Sequence, residues 1–505
     1  MSTEIELKLR IVPKDIDKFL RHPLLQSATG TSQQLYNTYF DTTEHTLLQQ
    51  GVGLRVRRIG DKRLQTLKTA GSGKSGLHQR QEWELEITGD TPDYTQFPEG
   101  ALPDWCADKN HLEQIEALFI TDFKRITWNL LVDGSDIEVA LDQGIVKTET
   151  ASCPISEIEL ELKSGSAAQL YQAALSLQKD LPLLIQNKSK AALGYALHQP
   201  KPLQFHKAGA VKLTPDMTAE QAGIFIIWHS LGQLQANEDM VLYGEDIEGV
   251  HQMRVALRRL RSCLNLYEPL IPKKTYTKYH RELKWMAGVL GVARDWDVFA
   301  LSLQQMQEAA IQKSSIDFKG LNNLPKQVAE KQALAYIAVR EALRSPRYSR
   351  MLLSLGKWLT QLRWRRKSAA EVLQRLDAPV IEFASQVLES HYQGIKRENL
   401  AQLDSEQLHQ LRISIKKLGY GSRFFAKLYP SQLVRPYSKN LSCLQDELGI
   451  LNDAHVAAYL LNQIGLDKNA PVRHFLTGWY AHQQATHYAT LEKAWQTFIE
   501  QKIFW

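Results

Sequence analysis

Glu4-Ile5-Glu6-Leu7-Lys8 is the stretch on which the reading of this chain turns. Side chains along a strand alternate between faces, so Glu4, Glu6 and Lys8 share one face and Ile5 and Leu7 the other. One such strand fits a half-solvated sheet. The pattern, however, recurs. Arg55 and Arg57 oppose Leu54 and Val56, and Lys68 ends a similar run. Arg80, Glu82, Glu84 and Glu86 oppose Trp83, Leu85 and Ile87. Arg125 leads another segment, and Asp142 follows the alternation of 137–141. Glu157, Glu159, Glu161 and Lys163 oppose Ile158, Leu160 and Leu162. A solvated face would mix in Ser, Thr, Asn and Gln. If these strands close into a barrel, the ionised faces can point inward, where they need water or a ligand to offset the cost of burial. A polyanion with divalent cations satisfies both signs. Lys and Arg bind phosphate oxygens, and carboxylates hold hard Mg²⁺ or Mn²⁺.

Outward from that stretch, period-two segments recur near 4–11, 53–59, 64–69, 79–87, 123–132, 137–146 and 156–163. Turn signals separate them. Helical segments fit 13–21, 110–118, 166–179 and 187–197. The segment Gly71-Ser72-Gly73-Lys74-Ser75 imitates the end of a phosphate-binding loop, but the required first glycine is Lys68 and no helix follows, so it reads as a hairpin loop.

Pro200 and Pro202 mark a linker, expected over 201–217. From 218 onward long helical periodicities predict an all-α half, 218–505. Within it, His251-Gln252-Met253-Arg254-Val255-Ala256-Leu257-Arg258-Arg259-Leu260 matches His409-Gln410-Leu411-Arg412-Ile413-Ser414-Ile415-Lys416-Lys417-Leu418. The same spacing maps Pro272 onto Pro430 and Asp295 onto Asp453, so 251–298 and 409–456 form an internal repeat. His251, Arg254 and Arg258, continued by Arg261, form a basic stripe, and His409, Arg412, Lys416 and Lys417 supply its second copy. The histidines fit equally a neutral capping or core role.

The net charge of +6 divides unevenly. Residues 1–200 hold 21 Lys+Arg against 27 Asp+Glu; residues 201–505 hold 40 against 28. A basic half attracts polyanions. Arg363, Arg365, Arg366 and Lys367, near Trp358 and Trp364, read as a solvated helix rather than a nucleic-acid contact. Four cysteines without CxxC spacing predict free thiols in a reducing compartment. The charged, alternating N-terminus is no signal peptide, and the best apolar run, 222–228, falls short of the ~18 residues a membrane helix needs. The expectation is a cytoplasmic protein without membrane association.

The ordered motifs resemble the CYTH family, or triphosphate tunnel metalloenzymes. They are Glu4-x-Glu6-x-Lys8, Tyr39-Phe40-Asp41-Thr42, Gly53-Leu54-Arg55-Val56-Arg57, Leu67-Lys68-Thr69, Arg80-Gln81-Glu82-Trp83-Glu84, Glu157-Ile158-Glu159-Leu160-Glu161 and Ser189-Lys190. The resemblance covers 1–197 and implies a multidomain α+β and all-α protein whose first domain, 1–200, is an eight-stranded antiparallel β tunnel. By matched position it implies that Lys8, Arg55, Arg57, Lys68, Arg80, Arg125 and Lys190 grip triphosphate. Glu4, Glu6, Asp142, Glu159 and Glu161 would hold the metal. Glu82 and Glu84 would orient water, forming a catalytic set with Glu6 and Lys8. The helical half resembles the CHAD family over roughly 215–500, which implies two pseudo-symmetric four-helix bundles binding inorganic polyphosphate. Gly419 stands where the repeat would place a counterpart of Arg261, and Asn452 answers Arg294. The combination implies hydrolysis of inorganic triphosphate to pyrophosphate and phosphate with Mg²⁺ or Mn²⁺. Two alternatives stand beside it: an organic triphosphate as substrate (thiamine triphosphate hydrolysis, a nucleotide, or ATP cyclisation), and a non-catalytic polyphosphate-binding protein.

Overall fold

The computed structural model describes residues 2–69, 71–74, 76–313, 319–362, 364–365, 368–467 and 470–505. Ten strands occupy the N-terminal part: β1 (Ser2–Arg10), β2 (Thr31–Asp41), β3 (Val52–Ile59), β4 (Lys62–Thr69), β5 (Ser72–Lys74), β6 (Leu77–Ile87), β7 (Glu116–Val132), β8 (Ser135–Lys147), β9 (Ser152–Ser164) and β10 (Leu184–Ile185). Eight of them run antiparallel in the order β1-β9-β8-β7-β2-β3-β4-β6, and β6 pairs back onto β1. The sheet thus closes into an eight-stranded barrel without free edges. The short β5 and β10 are appended to β6 and β1.

The alternation explains the barrel's polarity. Leu7, Leu9, Ile158 and Leu160 are fully buried on the outward face of β1 and β9. The helix Ala167–Asp180, whose N-cap Ser166 accepts a hydrogen bond from Ala168 N, lies over those two strands and buries Leu170, Tyr171, Ala174 and Leu177. A second outer cluster joins Leu54, Val56, Leu67 and Ile87 to Phe40, Leu47 and Phe97. Each fully buried aliphatic side chain contributes about 1.5–3 kcal/mol. The apolar set faces out beneath helices and loops, which forces the ionised set into the lumen.

One strand went unmarked by the pattern, and one local expectation needs correction. The eighth barrel strand, β2, opens Thr31-Ser32-Gln33-Gln34, with none of the charge alternation that marked the others. The helix expected over 110–118 ends at Leu112, and β7 begins at Glu116, because Leu118, Phe119 and Phe123 fill buried barrel positions.

By its internal contacts, residues 1–203 with 344–362 form one unit, and 204–343 with 363–505 the other. The second unit contains four long helices, Ala219–Ala236, Glu248–Leu266, Lys273–Lys313 and Lys319–Leu343, and then four more, Val380–Lys396, Ser405–Phe425, Ser431–Ile464 and Pro471–Glu500. Consecutive helices within each set pack together. These boundaries depart from the division at 200 and 218. Residues 204–217 go with the second unit, where Val211 and Leu213 are buried and Asn237 bonds the backbone of His206. Helix Pro346–Gln361 goes with the first, because its apolar stripe finds its partner on helix Ala167–Asp180.

Candidate active site and anion-binding cavity

The register of the barrel places the ionised residues in rows. Across β1, β9 and β8, Glu6, Glu161 and Glu138 stand opposite one another. Lys8 stands opposite Glu159. One row further, Glu157, Asp142 and Arg125 are aligned on β9, β8 and β7. On the other side Glu4 faces Arg80, and Glu82 faces Lys68. The rows enclose a cavity of about 740 Å³.

Ion pairs knit the wall. Lys8 Nζ lies 3.2 Å from Glu6 and 2.8 Å from Glu159. Arg80 donates to Glu4 and Glu6, both at 2.7 Å, and Lys68 to Glu4 at 2.9 Å. Lys68 also pairs with Glu82 at 3.1 Å. Arg125 grips Asp142 through two hydrogen bonds of 2.7 and 2.6 Å and bonds Glu159 as well. Burial opposes charging Glu4, but Lys68 and Arg80 hold its carboxyl far below the usual carboxylate range. Burial likewise works against Glu159, and Lys190, Lys8 and Arg125 outweigh it.

One end of the barrel is filled by the helix Lys190–His198, capped by Ser189, whose hydroxyl accepts from Ala192 N at 3.1 Å. Lys190 bonds Asp142 at 2.6 Å, Glu159 at 3.0 Å and Glu157. These three carboxylates have the spacing of a metal site. The lysine ammonium already fills it, so a cation there would have to displace Lys190. Tyr195 at the helix's other end donates to Asp41 at 3.0 Å. Asp41 also accepts from Thr42, Leu47 and Leu48 N, which makes it a structural carboxylate.

The two sides of the lumen differ in charge. Arg57, which donates to Asn37 at 2.8 Å, is pulled down to about 10 by burial, Arg55 and Arg125. Lys68 is lowered by burial, Arg55 and Arg80. Arg55 Nε is buried without an acceptor. This crowding of cations fits an anion. Across the lumen, Glu161 is pushed up by burial, with Glu138 and Glu4 adding to the shift against its Lys163 partner. Like charges placed directly opposite destabilise a sheet, and a divalent cation on oxygen donors would relieve them. The donor set Glu4, Glu6, Glu138 and Glu161 therefore fits a hard metal ion.

In the second unit, His251, Arg254, Arg258, His409, Arg412 and Lys416 line one cavity of about 1360 Å³. Arg259, Arg294 and Arg423 join them. The Nε atoms of Arg258, Arg259 and Arg412 are buried without an acceptor. Burial, Arg412 and Arg258 pull Lys416 down to about 7. Asp295 and Asp453, related by the repeat, share the cavity and are pushed up by burial.

A CYTH domain model matches residues 2–195, and a CHAD domain model matches residues 225–462. The chain carries a CYTH domain followed by a CHAD domain. The chain is 38% identical over 204 residues to an inorganic triphosphatase of Haemophilus influenzae, a match covering 39% of this chain and 55% of the relative. The chain thus matches about half the length of that curated relative. The CHAD domain of the plant Ricinus communis is 30% identical at a TM-score of 0.50, covering 59% of this chain and 98% of the plant domain.

Within the CYTH domain, Glu4, Glu6, Lys8, Arg55, Arg57, Lys68, Arg80, Glu82, Glu84, Arg125, Glu159, Glu161 and Lys190 all line the tunnel cavity. Asp142, expected as a metal ligand, does not. It is fully buried behind the wall, where it anchors Arg125 and Lys190. Within the CHAD domain, Arg261 and Lys417 are absent from the cavity wall. Arg261 lies ten residues, about 15 Å, along the helix from His251, with Tyr276 as its electrostatic neighbour. Lys417 is turned by about 100° from Lys416 and acts on His280 and His391. At Gly419 a Cβ would come within 2.0 Å of the Gln445 amide, which bonds Ile415 O.

Charge alternation overlooked several residues. Glu138 and His78 line the tunnel, and Asn37 positions Arg57. His78 could have been found as the residue two before Arg80 on the same strand face. Arg363, Arg366 and Lys367 lie outside the described residues; Arg365 pairs with Glu220 and Asp377, and Trp364 donates to Glu220. The four cysteines are free thiols, and among the described residues no helix is long and apolar enough to cross a membrane.

Proposed function

We propose that the tunnel hydrolyses inorganic triphosphate to pyrophosphate and phosphate with Mg²⁺ or Mn²⁺, and that the CHAD cavity binds inorganic polyphosphate. The observation that carries the first part is the lumen's division into crowded cations and opposed carboxylates inside one closed barrel. Arg55, Arg57 and Lys68 bind phosphoryl oxygens and stabilise the negative charge they share as the terminal P–O bond breaks. Lys8, Arg80, Arg125 and Lys190, like Lys68, are tied to carboxylates and become available as a polyanion competes for them. Glu4, Glu6 and Glu161, joined by Glu138, would hold the metal, and Glu159 would join them once Lys190 is drawn to the polyanion. When bound, it supplies charge neutralisation and a more acidic water. Glu82 and Glu84 orient the attacking water and accept its proton as its oxygen bonds the terminal phosphorus and pyrophosphate leaves.

The inorganic substrate is favoured over an organic triphosphate because the wall aromatics Tyr39, Phe123 and Tyr195 are packed into one cluster with Phe119 at the plugged end. They offer no stacking platform for a base. Turnover of triphosphate, ATP and thiamine triphosphate tests this; preference for either organic substrate overturns it. Polyphosphate binding rests on the basic cavity and its acceptor-free arginine donors. Equal affinity for polyphosphate and random DNA would reduce it to general electrostatics. A protein of this design would work in the cytoplasm, where phosphate esters and reduced thiols coexist.

A further inference from the structure

We propose that helix Pro346–Gln361, encoded between the two CHAD repeats, is a strap of the tunnel domain that positions Lys8 through β10. The helix buries Met351, Leu352, Leu355 and Leu359. Gly356 rests on Tyr171, where a Cβ would come within 2.4 Å of the ring, so the close approach requires glycine. Polar contacts then fix its register. The Ser349 hydroxyl accepts from Ile185 N at 3.1 Å. Gln178 Nε2 donates to Leu183 O at 2.9 Å and to Pro346 O at 3.1 Å, while Arg350 donates back to Gln178 O at 2.8 Å.

Those contacts lead to the lumen in two steps. Ile185 pairs with Leu9 across β10 and β1, and Gln186 N donates to Lys8 O at 2.9 Å. The strap therefore holds the strand that holds the backbone of Lys8, whose ammonium sits between Glu6 and Glu159. The helix under the strap, Ala167–Asp180, also packs on β1 and β9, the two strands that carry those three residues. The chain enters the strap from the second unit at 344 and re-enters that unit at 363. The tunnel domain is thus completed by residues from the helical half, and its substrate grip depends on them. The consequence for turnover rests on the triphosphatase reading; the consequence for structure does not.

The test uses the intact chain with Gly356→Leu, which drives a side chain into Tyr171, and with Gly356→Leu/Tyr171→Ala, which makes room for it. Amide exchange at Ile185 reports docking, calorimetry with triphosphate in the absence of metal reports binding, and phosphate release gives KM and kcat. Gly356→Leu should raise Ile185 exchange at least tenfold, weaken triphosphate binding and raise KM about tenfold, with kcat changed less than threefold, since a displaced lysine loses uniform binding. The double variant should restore both. Faster exchange with unchanged triphosphate affinity overturns the proposal. A wild-type chain that binds triphosphate without releasing phosphate sinks the activity reading alone, and the binding arm still tests the strap. Should Gly356→Leu fail to fold, native-state exchange of the wild type in urea decides: 346–361 must open with 167–186, and opening with 273–313 instead refutes it.

Discussion

Lys190→Met removes an ammonium held by three buried carboxylates, with nearly the same side-chain volume left behind. Lys190 is 6% exposed, and Asp142 and Glu157 are 0% and 2% exposed. Lys8 and Arg125 remain to compensate Glu159 and Asp142, but Glu157 loses its bonded cation. Breaking a buried ion pair from one side costs about 3–5 kcal/mol, because the remaining charge stays buried. At about 1.4 kcal/mol per decade this shifts the local opening equilibrium by roughly two to three and a half orders of magnitude. The pH dependence has a definite sign. The wild-type lysine has a raised folded pKa, so its contribution is fully present below its ordinary value near 10.5 and is lost only at higher pH. In the variant the unpaired carboxyl, Glu157 foremost, has a raised folded pKa, so the penalty grows above the ordinary carboxylate pKa and is relieved as pH falls. Amide exchange in β8 and β9 should show the full deficit at pH 8 and a smaller one at pH 5. Local exchange is the right probe because a two-unit chain need not unfold in one step. A deficit under about 0.5 kcal/mol, within the range of an ordinary surface change, or one equal at both pH values, would refute the reasoning.

Glu161→Gln should leave metal-free folding intact, because it relieves the like-charged row with Glu6 and Glu138, yet raise the Mg²⁺ concentration for half-maximal phosphate release about tenfold; an unchanged metal requirement counts against the carboxylate row as ligand. In the CHAD domain, Arg258→Ala should weaken polyphosphate binding about tenfold and reduce its salt slope by roughly one, whereas Arg261→Ala should change either little, as measured by titration at several salt concentrations. Lys416 sits near 7 in the free protein, so a bound polyanion favours its charged form and takes up a proton; affinity should fall from pH 6 to pH 8 and fall less in Lys416→Arg, and calorimetry in buffers of different ionisation enthalpy reads the proton directly.

How much of this was legible in the sequence depended on the kind of signal. Alternation located β1, β3, β4, β6, β7, β8 and β9, because a closed barrel sorts side chains strictly by parity. It overlooked β2, whose tunnel-lining residues Gln33 and Tyr39 are uncharged, as is the buried Asn37. Thirteen of the tunnel residues could be named, yet parity alone gives no depth: Asp142 is fully buried, bonded to Arg125 and Lys190. In the helical half the repeat found six cavity residues, while helical rotation and rise carried Arg261 and Lys417 elsewhere. Helix Pro346–Gln361 could not be assigned to its unit from sequence, since an amphipathic stripe declares that it packs and not against what. Tyr171 and Gly356 meet across 185 residues of chain, and only coordinates join them.

The central claim is that opposite charges converge on one wet channel in order to hydrolyse a phosphate chain. Phosphate release from triphosphate by the intact chain, with and without Mg²⁺ or Mn²⁺, compared with Arg57→Ala, tests it most directly. The account predicts turnover that needs the metal and falls about 10²–10³-fold in the variant, the loss typical of removing one transition-state charge donor. Turnover that persists in a chelator, or that Arg57→Ala leaves untouched, would contradict it.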